Sequence, residues 1–189
     1  MNGLIDRAIE EFLRATYGDD LVRSMTADIA LAQGHPVPDL QGCGQQALAH
    51  AALRMSKPVS EMLEDLGGWL TRIEPIRRLL RFSGRDFHDF LMSLDELPGR
   101  AHLVLPQLVM PPLRVGRDGQ SVIVALDKAD ADWKCTLIGL IRGMADDYGA
   151  LCLISSEGMN IRIEVWEEQF CEGRMFSLSP DAAPESLAF

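Results

Sequence analysis

The chain has 189 residues, 47% of them hydrophobic, and its 18 basic and 28 acidic residues give a formal net charge of −10. This length suffices for one substantial hydrophobic core and a pocket, but leaves little material for two large independent domains. The negative charge disfavours binding to nucleic acids and to acidic membrane surfaces, because both would repel it at long range.

The first half of the chain has the apolar spacing of short amphipathic helices. Hydrophobic side chains recur every three or four positions, and Gly and Pro residues interrupt the pattern at 34–44. Pro75 opens one of the helices, because proline is tolerated in a first turn, and Gly84 stops it. The predicted helices cover residues 3–16, 19–32, 45–55, 58–70, 75–82 and 86–94.

The second half is rich in strands. Asp-Gly and Glu-Gly pairs predict turns at residues 117–119, 157–158 and 172–173, because these pairs commonly close β-hairpins. One long helix is predicted over residues 133–147. The predicted strands cover residues 113–115, 121–126, 150–155, 161–167 and 175–178. Helices followed by a mostly antiparallel sheet with one packed helix indicate an α+β fold.

Five segments, in the same order, resemble the heme-nitric oxide/oxygen binding family (H-NOX), the sensor domain of soluble guanylate cyclase and its bacterial relatives. They are GLIDRAIEEFLRATYG, SEMLEDLGGWL, RFSGRDFHDFLMSLDEL, PQLVMPPLRV and LIGLIRGMADDYG. The resemblance implies one stand-alone bacterial domain over 1–189, with a helical lobe to about residue 110, an α/β lobe over 111–179 and a tail over 180–189. It also implies heme b, nitric oxide or oxygen sensing, and a signalling partner such as a histidine kinase or a cyclic-dinucleotide enzyme.

The position of the family's heme-binding histidine follows the sequence Leu-Asp-x-Leu, which is Leu94–Leu97 here. An ungapped alignment puts Pro98 where the histidine would be, and proline has no side-chain lone pair for iron. With Asp95 as the N-cap, Pro98 fits the first turn of a helix, where a missing N–H is harmless. His102 is a remote candidate for iron, since it lies one turn of about 5.4 Å further along; the alternative is a partly buried or surface histidine.

Other candidate ligands have less support. His50 could lie over the pocket, and Cys135 could bind iron as a thiolate if its pKa were lowered. The alternatives are a surface histidine and a buried, inert thiol. His88 is expected at the surface and His35 in a loop. The four cysteines form no C-x-x-C pair, so we expect free thiols and no zinc site.

The family's Tyr-x-Ser-x-Arg motif, which holds the heme propionates, is missing. Two alignments, which differ by one residue, place it on Leu126, Lys128 and Asp130 or on Asp127, Ala129 and Ala131. Neither supplies the hydroxyls and the guanidinium that would neutralise two carboxylates, and the aspartates would repel them.

An apolar wall survives. Ile5, Pro111 and Leu140 match positions that line the heme face in the family, although a plain hydrophobic core needs the same residue types. The wall is therefore compatible with three alternatives, in which the protein binds heme b, binds another flat apolar molecule, or binds neither.

The chain contains no nucleophile elbow, no glycine-rich phosphate loop and no His-Glu-x-x-His motif, so we do not expect an enzyme. The sequence also lacks a signal peptide and a membrane-spanning run, which predicts a cytoplasmic protein. Two hypotheses remain: a ligand-responsive signalling module, and a heme-free adaptor that uses its surface. One basic cluster is either a solvated helix face or a docking surface for an acidic partner. Its members are Arg72, Arg77, Arg78, Arg81 and Arg85.

Overall fold

The computed structural model describes residues 3–33, 44–82, 84–106, 108–127 and 130–167, with only the backbone described at residues 3–5, 32, 33 and 167. The predicted strand 175–178, the tail 180–189 and nearly all of the loop 34–44 lie outside these ranges. The helices are α1 (Gly3–Tyr17), α2 (Asp19–Gln33), α3 (Gly44–Arg54), α4 (Val59–Leu70), α5 (Glu74–Arg81), α6 (Phe87–Met92), α7 (Leu97–Val104) and α8 (Ala131–Tyr148).

The helix ends follow local chemistry. The Asp86 carboxylate accepts a hydrogen bond of 2.8 Å from the Asp89 amide at the start of α6. Asp130 does the same for the Trp133 amide at the start of α8, at 3.0 Å. Gly149 ends α8 with a φ of 68°, a left-handed conformation that glycine adopts without strain. The observed bounds of the helices confirm the predicted helices to within a few residues at each end.

The predicted N-cap at Asp95 is wrong. Leu94–Glu96 forms a short 3-10 turn, which places Asp95 inside the turn and makes Glu96 the N-cap of α7, without a side-chain capping bond. The cause is that the chain already coils at Leu94, before Asp95, so that Asp95 cannot be the residue that precedes the helix. Pro98 nevertheless lies in the first turn of α7, as predicted.

Within the described residues, four strands form an antiparallel sheet: β1 (Leu113–Asp118), β2 (Ser121–Leu126), β3 (Leu151–Glu157) and β4 (Asn160–Glu167). Their order across the sheet is β1-β2-β4-β3. Two turn positions differ from prediction, because β1 and β3 continue further than expected. Asp118 still pairs with Ser121 and Glu157 with Asn160, so the turns are the two residues after Asp118 and after Glu157.

The buried side chains form two hydrophobic clusters. One joins α1, α2, α3 and α4 with Cys135 of α8. The other joins α5, α6 and α7 with the sheet and the rest of α8. Helix α8 thus contributes to both clusters, while the proposed lobe boundary near residue 110 stays a prediction. The α+β class is confirmed.

Helices α4 and α8 cross at glycines. A Cβ added to Gly139 would overlap the carbonyl oxygen of Glu64, and one added to Gly67 would lie 2.7 Å from the amide nitrogen of Leu140. Gly143 instead meets a side chain, since a Cβ added there would lie 3.0 Å from the Thr71 Cγ2. At Gly67 and Gly139 the two backbones therefore touch with no side chain between them.

In the part of the chain that the structure describes, no helix is both long and apolar enough to cross a membrane.

Candidate functional site

Helix α7 carries Pro98, the residue that the sequence alignment puts at the family's heme-ligand position. Pro98 occupies its first turn and is half-buried, next to the buried Leu97. Proline has no backbone N–H, and a first-turn N–H would have no partner within the helix, so Pro98 costs the helix no hydrogen bond. The position is thus well suited to proline and offers no atom that can bind iron.

His102 lies one turn further along α7, and its side chain is exposed. The buried face of this helix consists instead of Leu97 and Ala101. His50 on α3 is also exposed. His88 on α6 lies beside a cation, with 2.5 Å between its Nε2 and an Nη of Arg117 on β1. His35 lies outside the described residues.

The segment that aligns with Tyr-x-Ser-x-Arg follows β2. Leu126 is buried as the last residue of the strand. Both oxygens of Asp127 face the Arg114 guanidinium, with 2.6 Å between the Arg114 Nε and Oδ1. Asp130 caps α8. The two aspartates therefore have structural partners, while residues 128 and 129 lie outside the described ranges.

The apolar wall is partly described. Pro111 and Leu140 are both buried, and Leu140 belongs to the same cluster as Leu97 and Leu113, the chain neighbours of Pro98 and Pro112. The Asp127 amide donates to the Pro112 carbonyl at 3.1 Å, which fixes this proline pair beside the end of β2. Ile5 lies on α1, and its side chain is outside the described part of the chain.

Burial argues against Cys135 as a thiolate ligand. Its side chain lies in the helical cluster, and burial raises the pKa of the thiol above its ordinary value. Burial also raises the pKa of Cys152. Among the described residues, no group of three or more His, Cys, Asp or Glu side chains could hold a metal ion.

A charged contact between α5 and α8 was not predicted from the sequence. The Arg77 Nε donates to Oδ1 of Asp147 at 2.8 Å, and the Arg81 Nε lies 2.6 Å from Oδ2. The Arg81 guanidinium also lies over the Tyr148 ring, 4.6 Å from its centroid. The hydrogen bond to Asp147 is the main reason that the pKa of Arg77 is raised. The sequence gives only a weak signal for this contact. The acidic end of α8 and the arginines of α5 are both visible in it, but neither shows which arginine pairs with which aspartate.

A polar groove of about 690 Å³ runs along the α4 and α8 crossing. Its lining combines Phe12 and Trp69 with three arginines and four carboxylates, and Arg142 pairs with Glu64 at 3.0 Å. Two glycines four positions apart on α8, Gly139 and Gly143, were the sequence signal for this close crossing.

The arrangement of helices and strands matches solved structures over 88% of the chain. An H-NOX protein from S. oneidensis, in the Fe(II)NO ligation state, gives a TM-score of 0.71 at 14% identity, with 100% of that chain covered. The chain therefore has the H-NOX fold.

Other H-NOX structures agree. A mutant of T. tengcongensis H-NOX gives a TM-score of 0.67 at 18% identity, with 98% of that chain covered. An oxygen-binding H-NOX domain related to soluble guanylate cyclases gives 0.62 at 20% identity, with 96% covered. No protein-family model and no curated protein matches the sequence. The recognition from five sequence segments is thus confirmed for the H-NOX fold.

The residues that the sequence alignment puts at the heme-holding positions do not supply the chemistry that the resemblance predicts there. Pro98 has no side-chain ligand atom, and Asp127 and Asp130 are engaged by Arg114 and by the start of α8. A carboxylate-rich segment would repel propionates, since like charges close together are unfavourable.

Proposed function

We propose that this chain is a regulatory signalling protein with the H-NOX fold that has lost histidine-ligated heme. The observation that carries the proposal is Pro98 in the first turn of α7, at the position of the family's iron ligand. A proline that suits its helix turn and an H-NOX fold that persists around it favour a retained regulatory role over retained gas chemistry.

In this proposal a conformational change in one half of the molecule alters the activity of a partner protein. The partner is a signalling protein such as a histidine kinase or a cyclic-dinucleotide enzyme, in the cytoplasm of a bacterium. The chain itself catalyses no reaction. Helix α8 supports this role, because it contributes side chains to both hydrophobic clusters and can couple them.

The experiment is an absorption and thermal-melting titration of the purified protein with hemin and with metal-free protoporphyrin IX. We expect no Soret band that shifts with nitric oxide. A nitric oxide-sensitive band that disappears in His102→Ala but persists in His50→Ala would contradict the proposal. These two histidines are matched, since both are exposed on helices.

The alternative is an adaptor whose former pocket is filled by side chains. It is favoured by the burial of Pro111 and Leu140, which core packing explains without a ligand. A rise in melting temperature with protoporphyrin IX, together with no nitric oxide-sensitive Soret band after hemin addition, would favour a module that responds to a flat apolar ligand. No change with either compound would favour the adaptor.

A further inference from the structure

The end of α5 and the residues that follow it carry an exposed phenyl ring, with an exposed arginine on either side of it in the sequence. Phe82 is 87% exposed, and the side chains of Arg78 and Arg85 are 78% and 96% exposed. We propose that these three residues, here called the α5 surface, dock an acidic segment of a partner protein that also carries an apolar side chain. The inference deepens the proposed function, because it names the surface and the chemistry of the partner, but it does not depend on whether heme is bound.

The arginines of the basic cluster divide into two groups. Arg77 and Arg81 are held by Asp147, and Arg81 also donates to the Asp147 carbonyl at 2.9 Å. These two arginines fasten α5 to α8 and are not free for a partner.

The remaining charge is accessible. Arg78 pairs with Glu74 of its own helix, an exposed contact four residues apart that is worth little in water. Arg85 lies 3.8 Å from a carboxylate oxygen of Asp89. A partner carboxylate can replace such contacts without breaking the fold.

Phe82 and Arg78 share one face. Phe82 caps α5 with φ and ψ of −61° and −21°, and its amide donates to the Arg78 carbonyl at 3.0 Å. Residues four apart in a helical turn are neighbours on its surface. A partner that covers this face removes the phenyl ring from water and meets the guanidinium beside it. Aromatic residues and arginines are enriched in the cores of protein interfaces.

Charge identifies the occupant. The exposed guanidinium groups of Arg78 and Arg85 select for carboxylates, which arginine binds with two parallel hydrogen bonds. A short acidic segment meets mainly this local positive charge. A nucleic acid or a second copy of this chain also meets the net charge of −10 and is repelled by it.

The test uses a fluorescein-labelled octapeptide, three glutamates followed by Leu-Phe and three more glutamates, added to the full chain. We expect saturable binding that weakens with salt, and amide shifts in residues 74–86 by NMR. A peptide with Ser-Ser in place of Leu-Phe, and one with lysines in place of the glutamates, should each bind about tenfold more weakly or worse.

Matched variants distinguish binding at the α5 surface from nonspecific binding elsewhere on the protein. Phe82→Ala and Arg78→Gln should each weaken binding about tenfold. The controls are Leu31→Ala and Arg23→Gln on α2, which are 82% and 75% exposed, with Arg23 paired within its own helix as Arg78 is. Unchanged melting temperatures would show that all four variants fold. Equal effects in both pairs, or none in the α5 pair, would overturn the proposal.

Two further outcomes would show that the α5 surface binds part of this same protein and not a separate partner. A synthetic peptide of residues 168–189 that displaces the acidic octapeptide and shifts the same amides would assign the α5 surface to the chain's own end. A dimer in sedimentation experiments that dissociates in Phe82→Ala would assign it to a second copy. Either result overturns docking of a separate acidic partner.

Discussion

Two regions that the H-NOX resemblance assigns to heme have different fates in this protein. The apolar wall keeps its character, since Pro111 and Leu140 are buried. The polar positions do not, because Pro98 offers no ligand and Asp127 and Asp130 are bound by the protein itself. The difference teaches that apolar residues serve the core as well as a cofactor, whereas polar ligands serve the cofactor alone. Under the proposed loss of heme, only the second kind is free to change.

The largest expected effect tests how closely α8 packs against α4, next to the wall residue Leu140. Gly139→Ala places a methyl group against the Glu64 carbonyl, and α4 must move away from α8. We expect the free energy of unfolding to fall by about 3 kcal/mol or more, as measured by urea denaturation. Gly99→Ala on α7 is the control, because nothing lies within 4 Å of its Cβ, and it should be neutral or slightly stabilising. Similar results for both would mean that the crossing is loose.

Leu140→Ala tests whether the wall now serves as core. Removing a buried leucine should lower the free energy of unfolding by about 2 to 3 kcal/mol, because of lost burial and an unfilled cavity. Leu103→Ala, on the exposed side of α7, should change it by less than about 0.5 kcal/mol. If Leu140→Ala were as mild as the control, the leucine would line open space, and the wall would belong to a pocket.

Asp147→Asn probes the charged contact between α5 and α8. The substitution removes the charge that Arg77 and Arg81 share, and we expect a loss of about 1 kcal/mol that shrinks as salt is added, since both arginines are partly exposed. Asp20→Asn, in an exposed pair with Arg23, should have almost no effect. A loss that does not depend on salt would point to packing and not to charge.

Pro98→Ala should have the smallest effect. The proline lies in a first turn, where it stabilises the fold mainly by restricting the unfolded chain. We therefore expect the free energy of unfolding to change by less than about 1 kcal/mol. Pro75→Ala, at the same position of α5, is the matched control. A much larger loss for Pro98→Ala would show that this proline has a packing role, and that its presence does not by itself reflect the loss of a ligand.

Local patterns made most of the elements predictable. The spacing of apolar residues located the helices, and the alternation in β4 put Ile161 and Ile163 on the core side, where both are buried. The turns were placed early, because side-chain preference marks a turn but strand pairing decides where it begins. The N-cap at Asp95 failed for a related reason, since a 3-10 turn competes with α-helix over three residues.

The candidate site was less predictable from sequence. The substitution at Pro98 could be read directly, because a ligand is one residue at one position. The exposure of His102 could not, since it depends on which face of α7 packs against the sheet cluster. Nor could the choice of Arg77 and Arg81 by Asp147, because five arginines in fourteen residues look equivalent until the helix is placed.

The glycine crossing of α4 and α8 has a mechanical consequence. Flexible side chains between two helices act as a compliant layer that absorbs small displacements by changing rotamer, and at Gly67 and Gly139 that layer is absent. We therefore expect a tilt of α8 that begins at the sheet to push the Glu64 carbonyl of α4 directly and so to reach the amino-terminal helices.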